Sequence, residues 1–192
     1  TRGWKSVTGS AADATGLAPT FVAATGGTPC SGAICGNYKL HAFTGPGTFT
    51  VSSAGNSAGS NTVNLLVVAG GGSGARADAG GGGGAGGLRN FCQPVAVLSY
   101  PITVGGGGAA IPGCSIGNSG SPSVAFMLTS KFGGGGGKDA GADGGSGGGG
   151  GYADPGGAGN NPATFPVQGH DGGDSVLPGG GAGGGGGAGS PG

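Results

Sequence analysis

Residues 65–72 read LLVVAGGG, and the same succession returns as ITVGGGG at 102–108, FMLTSKFGGGGG at 126–137 and VLPGGGAGGGGG at 176–187. Each stretch begins as an apolar run and passes directly into glycine. The spacings differ, so this is no fixed-period solenoid. It reads instead as a repeated unit, strand then glycine tract, stacked side by side. Leu65-Leu66-Val67-Val68 is a continuous apolar run, which predicts a strand covered on both faces. Residues 37–44 (NYKLHAFT), 48–53 (TFTVSS) and 62–69 (TVNLLVVA) are the other β-rich segments, the first two joined by Gly45-Pro46-Gly47, a tight-connection signal. Phe49 and Val51 alternate with Thr and Ser, which predicts one buried and one wet face.

Composition sets the terms for what lies between these strands. Glycine makes up 58 of 192 residues, against about 7% in an average protein. Eleven of the glycines fall in residues 1–69 and the other 47 in 70–192. Only 31 residues are Leu, Ile, Val or Phe, a poverty usually found in disordered chains of high net charge. Here seven Lys and Arg balance seven Asp, and the formal charge is zero. No basic stripe exists for phosphate neutralisation, so no nucleic-acid partner is expected. Helices are nearly excluded, because glycine costs about 1 kcal/mol per helical site relative to alanine.

Ordering a backbone costs about 1–2 kcal/mol per residue, and glycine loses the most. The tracts therefore either stay loose as linkers or pack against one another where only Cα hydrogens fit. Packed tracts would adopt polyproline II, with three residues per turn and backbone groups free to bond laterally. Collagen is excluded, since residues 70–192 keep no strict G-X-Y period. Serine is sparse in the tracts, whereas flexible linkers mix Gly with Ser, and apolar strands would fix where each tract starts. The expected fold is mainly β: a small antiparallel β-sandwich followed by a layered bundle of polyglycine/polyproline II helices, with essentially no α-helix. Residues 1–36 read as a small-residue N-terminal segment with loops and 37–69 as a β-strand domain. Residues 70–192 read as a glycine-rich domain of strands and polyglycine II, continuous with 37–69.

Motifs for chemistry fail one by one. GxGxxG arises here from composition alone, and the helix it needs is missing. Gly133–Gly137 with Lys138 and Asp139 has Phe132 where a phosphate loop needs glycine, and Asp139 where it needs Ser or Thr. Gly144-Gly145-Ser146-Gly147-Gly148 matches G-x-S-x-G, but flanking glycines deny it the helix of a nucleophile elbow. Asp139, Asp143, Asp154, His170, Asp171 and Asp174 keep no calcium-loop spacing, and read as solvated turn residues. No catalytic residue, metal site or cofactor is expected.

Four cysteines stand at 30, 35, 92 and 114, in no zinc pattern. They are either free thiols or two disulfides, Cys30–Cys35 and Cys92–Cys114, among three possible connectivities. We expect the disulfides, because a thin core gains most from covalent staples; that pairing implies an oxidising, extracellular setting. Met127 is the only methionine, so Thr1 is expected to follow processing or to lie within something longer. Residues 1–10 hold no apolar signal core, and no run of eighteen apolar residues predicts membrane insertion.

The segments between tracts carry aromatics and amides: Phe91 and Tyr100 in LRNFCQPVAVLSYP, and Tyr152, Asn160, Asn161, Phe165 and His170 in GYADPGGAGNNPATFPVQGHDGG. Variable loops on a rigid base are a common layout for recognition, and Tyr, Asn, Ser and Gly are favoured there. Phe91, Tyr152, Asn160, Asn161, Phe165 and His170 are thus surface recognition candidates. The alternative is that some of the rings cap the ends of the glycine layer.

The order YKLHAFTGPGTFTVSS, NTVNLLVVAGGG, SYPITVGGGG, SVAFMLTSKFGGGGG and VQGHDGG closely resembles the glycine-rich domain of bacteriophage tail-fibre proteins, especially those of aquatic phages, over residues 37–192. The resemblance implies a sandwich of polyglycine II helices whose loops, here near 73–79, 109–122, 138–143 and 152–171, recognise the host surface. It implies no catalytic residues. The four cysteines depart from the family pattern. The function expected is a non-enzymatic adhesive protein at the virion surface, its partners a host cell-surface receptor or other copies of itself in an oligomer. The alternative is a subunit of a self-assembling extracellular filament.

Overall fold

A computed structural model describes residues 16–176 and 181–192. It contains nine strands: β1 (Val22–Thr25), β2 (Thr28–Cys35), β3 (Tyr38–Ala42), β4 (Gly47–Ala54), β5 (Thr62–Val68), β6 (Leu88–Pro94), β7 (Ser99–Thr103), β8 (Ser123–Ala125) and β9 (Leu128–Ser130). No α-helix occurs among the described residues. One sheet has the order β1-β4-β7-β8-β9, while β2–β3 and β5–β6 form two-stranded sheets. The pairings β1–β4, β2–β3, β7–β8 and β8–β9 are antiparallel. β1 and β2 lie in a stretch whose small residues give no periodic strand signal. The VLP start of the fourth apolar segment falls partly outside the described residues.

The chain divides into two compact units. The first takes in the described part of Thr1–Ala42, with Phe49–Asn64 and Cys92–Tyr100. In β4 the alternation read from sequence holds: Phe49 and Val51 are buried, Thr50 and Ser52 exposed. β1 meets β4 through a bulge, since Ala23 faces Ser53 while Ala24 faces Val51. Ser52 is the extra residue, and its Oγ donates to Ala23 O at 3.2 Å; the bulge keeps buried Ala24 opposite buried Val51. His41 meets Phe49 edge-on, with centroids 5.2 Å apart, and its Nδ1 lies 2.8 Å from Gly26 O. Ile34, Tyr38 and Leu40 of the β2–β3 hairpin are exposed.

The second unit comprises Phe43–Thr48, Leu65–Phe91 and Pro101–Gly192. Its apolar core is small: Val67, Ala69, Ile102, Ala125 and Phe126 are buried, together with Ser123, Ser130, Ser146 and Gln168. β5 corrects the expectation of a strand covered on both faces. Val67 is buried, but Leu66 and Val68 are exposed, because successive side chains point to opposite faces and only the face that carries Val67 is covered. The segment FMLTSK also departs from a plain strand. Ala125 pairs with Leu128, so Phe126 and Met127 form the turn between β8 and β9, both at positive φ.

Candidate functional site

Three strands deliver the chain into glycine tracts: β5 ends at Val68, β7 at Thr103 and β9 at Ser130. The tracts hydrogen-bond to one another at every third residue. The N–H groups of residues 69, 72 and 75 donate to the carbonyls of 87, 84 and 81, and those of 81, 84 and 87 donate to 137, 134 and 131, all within 2.7–3.0 Å. The intervening donors turn elsewhere: 70, 73 and 76 reach 121, 118 and 115. Further along, 134 and 137 reach 146 and 149, while 147 and 150 reach 170 and 173. At many positions along these ladders only glycine permits the approach. A Cβ on Gly134 would overlap Ala142 O, and one on Gly147 would overlap Gly157 O.

These bonds define two ends. At one, 69, 87, 131–132 and 145 are joined, beside the strands. At the other, 75, 81, 137 and 149 are joined, and the loops between tracts meet. Gly151 N donates to Asp139 O at 2.6 Å. A Cβ on Gly151 would meet Lys138 O at 2.5 Å and Ala79 O at 2.6 Å. Arg76 forms a two-way bridge with Ser115. Parts of four sequence-expected recognition loops thus converge, presenting exposed Arg76, Asp78, Ser115, Lys138, Asp139 and Tyr152.

The candidate residues do not form one patch. Tyr152, exposed and at φ 52°, follows the Gly151 end of the tract that starts at Gly145. Asn160 N and Asn161 N donate to Gly145 O and Gly144 O, both at 2.9 Å, so their loop closes the opposite end. Asn160 holds that loop together: its Oδ1 accepts from Thr164 N, Thr164 Oγ1 and Gln168 N at 3.0, 2.9 and 3.3 Å. Asn161 Nδ2 donates to Asp143 Oδ2 at 2.9 Å. Phe165 is 92% exposed on the same loop. His170 is half-buried within a tract, its backbone bonded to Gly147 and Gly187. Phe91 is half-buried beneath Arg89, whose Cζ stands 4.5 Å from the ring centroid.

Gln168 escaped the sequence reading. It is 1% exposed; its Oε1 accepts from Lys131 N at 2.9 Å, its Nε2 donates to Pro162 O at 3.0 Å, and its carbonyl accepts from Leu88 N at 2.8 Å. A lone glutamine between Val167 and Gly169 gives no signal of this. The aspartates near it in sequence cap backbone: Asp143 accepts from Ala158 N, Asp171 from Gly159 N and Asp174 from Gly156 N. Asp171 and Asp174 also line an open concavity of about 450 Å³ with Gly156, Gly157 and Gly172. Among the described residues no group of three or more His, Cys, Asp or Glu is placed to hold a metal ion.

The cysteines overturn the expected disulfides. Cys30, Cys35, Cys92 and Cys114 are all free and exposed. Cys30 and Cys35 lie in one strand, where a rise of about 3.3 Å per residue carries positions five apart beyond the ~7 Å Cα limit of a bridge. The oxidising setting argued from those bridges loses that support.

The model of the glycine-rich domain family matches residues 43–192, most of the chain, and the chain belongs to that family. No curated protein and no solved structure matches it. Family and strand content are those of a β-rich glycine-rich domain.

Proposed function

We propose that this chain is the glycine-rich receptor-binding domain of a bacteriophage tail fibre, an adhesin that works outside the cell at the virion surface. In this reading the tracts are polyglycine II helices in layers, a rigid base for recognition loops. The three-residue recurrence of the lateral hydrogen bonds supports it, since polyproline II repeats every three residues. The observation that carries recognition is the meeting of residues 76–80, 138–140 and 151–155 at one end of the tracts, with Arg76, Asp78, Lys138, Asp139 and Tyr152 exposed. The partner is a host cell-surface receptor.

The test is saturable binding of the fluorescently labelled chain to a panel of aquatic bacterial isolates. Tyr152→Asn removes the ring and keeps a residue type that tolerates positive φ, so the loop should hold its path while binding falls. No saturable binding to any isolate, or equal binding by the variant and by a Lys138→Ser, Asp139→Ser double variant, overturns the reading. A second reading, a self-assembling extracellular filament subunit, draws on exposed Ile34, Tyr38 and Leu40 of the β2–β3 hairpin. Negative-stain images across a concentration series separate the two: discrete particles favour the adhesin, and fibres that lengthen with concentration favour the filament.

A further inference from the structure

At the strand end of the tracts two cations, Arg89 and Lys131, have no carboxylate partner among the described residues. Gly87 N donates to Lys131 O at 2.7 Å, and two residues further along each chain Arg89 Nη1 donates to Thr129 O at 3.2 Å. Arg89, in β6, and Lys131, the residue after β9, are brought near one another by these two bonds. Each is laid on an aromatic face: Arg89 Cζ is 4.5 Å from the Phe91 centroid and Lys131 Nζ 4.0 Å from the Phe132 centroid. Cations held over rings lose little further freedom on binding a ligand.

The protein leaves them short of acceptors. A guanidinium has five N–H donors; Thr129 O takes one, and Nε is buried without a partner. A buried orphan donor is uncommon and costly. The carboxylate of Asp143, whose neighbour Gly144 lies against Phe132 O, is turned to Ala158 N and Asn161 Nδ2. Beside the cations, Gln168 ties its loop to Leu88 N and Lys131 N, and that loop carries the exposed ring of Phe165.

We propose that Arg89 and Lys131 form an anion subsite for a carboxylate-bearing sugar, a uronic-acid unit of a surface polysaccharide. Such a unit offers a carboxylate to the two cations and an apolar C–H face to an aromatic ring such as Phe165. An acidic peptide side chain offers only the first. The choice of a saccharide rests on the surface-recognition reading above; the anion subsite does not. It also lies at the opposite end from Tyr152, so the two fail separately.

The experiment is calorimetric titration of the full chain with trigalacturonate at low salt. The controls are its methyl ester and triglutamate. Saturable binding of trigalacturonate is expected, suppressed by about 0.5 M salt through screening, absent for the ester, and weakened at least about tenfold by Arg89→Met or Lys131→Met. The methionines keep an apolar stem over each ring, and an unchanged melting curve reports that the fold persists. If Arg89→Met does not fold, Lys131→Met and Arg89→Lys carry the comparison. Lack of trigalacturonate binding, equal binding of the ester, or indifference to both substitutions overturns the proposal. Tighter binding of triglutamate overturns the saccharide and assigns an acidic peptide.

Discussion

Gln168 Oε1 accepts a hydrogen bond from Lys131 N at 2.9 Å, across 37 positions of sequence. The same side chain donates to Pro162 O at 3.0 Å, and nearly all of it is buried. Gln168→Leu keeps the approximate volume but leaves Lys131 N–H and Pro162 C=O without these partners. Lys131 is half-buried and Pro162 exposed, so each lost hydrogen bond should cost about 0.5–1.5 kcal/mol, and the variant about 2 kcal/mol in a urea titration. A loss below about 0.5 kcal/mol would mean that water replaces the amide at this site.

A matched pair of glycines tests whether the tracts are held by close backbone approach. Gly134 is buried, and a Cβ there would overlap Ala142 O. Gly106 is exposed and a Cβ there meets nothing within 4 Å. Gly134→Ala forces backbone apart and should destabilise by more than about 2 kcal/mol. Gly106→Ala should be neutral or gain up to about 1 kcal/mol, since alanine restricts the unfolded chain. Thermal melts of the two proteins check it, and equal melting temperatures would contradict close packing at Gly134.

Much of the strand pattern was legible, and most of what brings the loops together was not. Phe49 and Val51 declare their buried face because Thr and Ser separate them. Leu65–Val68 conceals its open face, since both pleats are apolar and the sequence holds no mark of a sheet only two strands wide. The pairing of 81 with 137, and of 137 with 149, has no sequence signal, because a hydrogen bond between two glycine backbones uses no side chain. For the same reason nothing foretold that Tyr152 and Asn160, eight positions apart, stand at opposite ends of one tract. Asp143, Asp171 and Asp174 were expected as turn residues, but they lie outside turns and cap Ala158, Gly159 and Gly156, 12–18 positions away in the chain.

All four thiols are exposed and unpaired, which makes a direct chemical prediction. The native protein should react with four equivalents of a thiol reagent such as Ellman's without denaturant, because exposed thiols are accessible to it. Reductant should leave the melting temperature unchanged. Fewer reactive thiols in the native than in the denatured protein would show that some are covered or bonded.

The β8–β9 turn separates two residues with opposite demands on the same strained backbone. Phe126 has φ 52° and is buried, whereas Met127 has φ 64° and is 97% exposed. A two-residue hairpin turn with both positions at positive φ favours Asn-Gly over large side chains, and a left-handed residue other than glycine costs roughly 1–2 kcal/mol. Met127→Gly removes that cost and loses almost no buried surface, so it should stabilise by about 1 kcal/mol. Phe126→Gly relieves a similar cost but empties a core position, where removing a phenyl ring costs about 3–5 kcal/mol, so it should destabilise. Equilibrium unfolding of the two variants should thus give shifts of opposite sign. Destabilisation by Met127→Gly would show that the exposed methionine makes a contact that its exposure does not reveal.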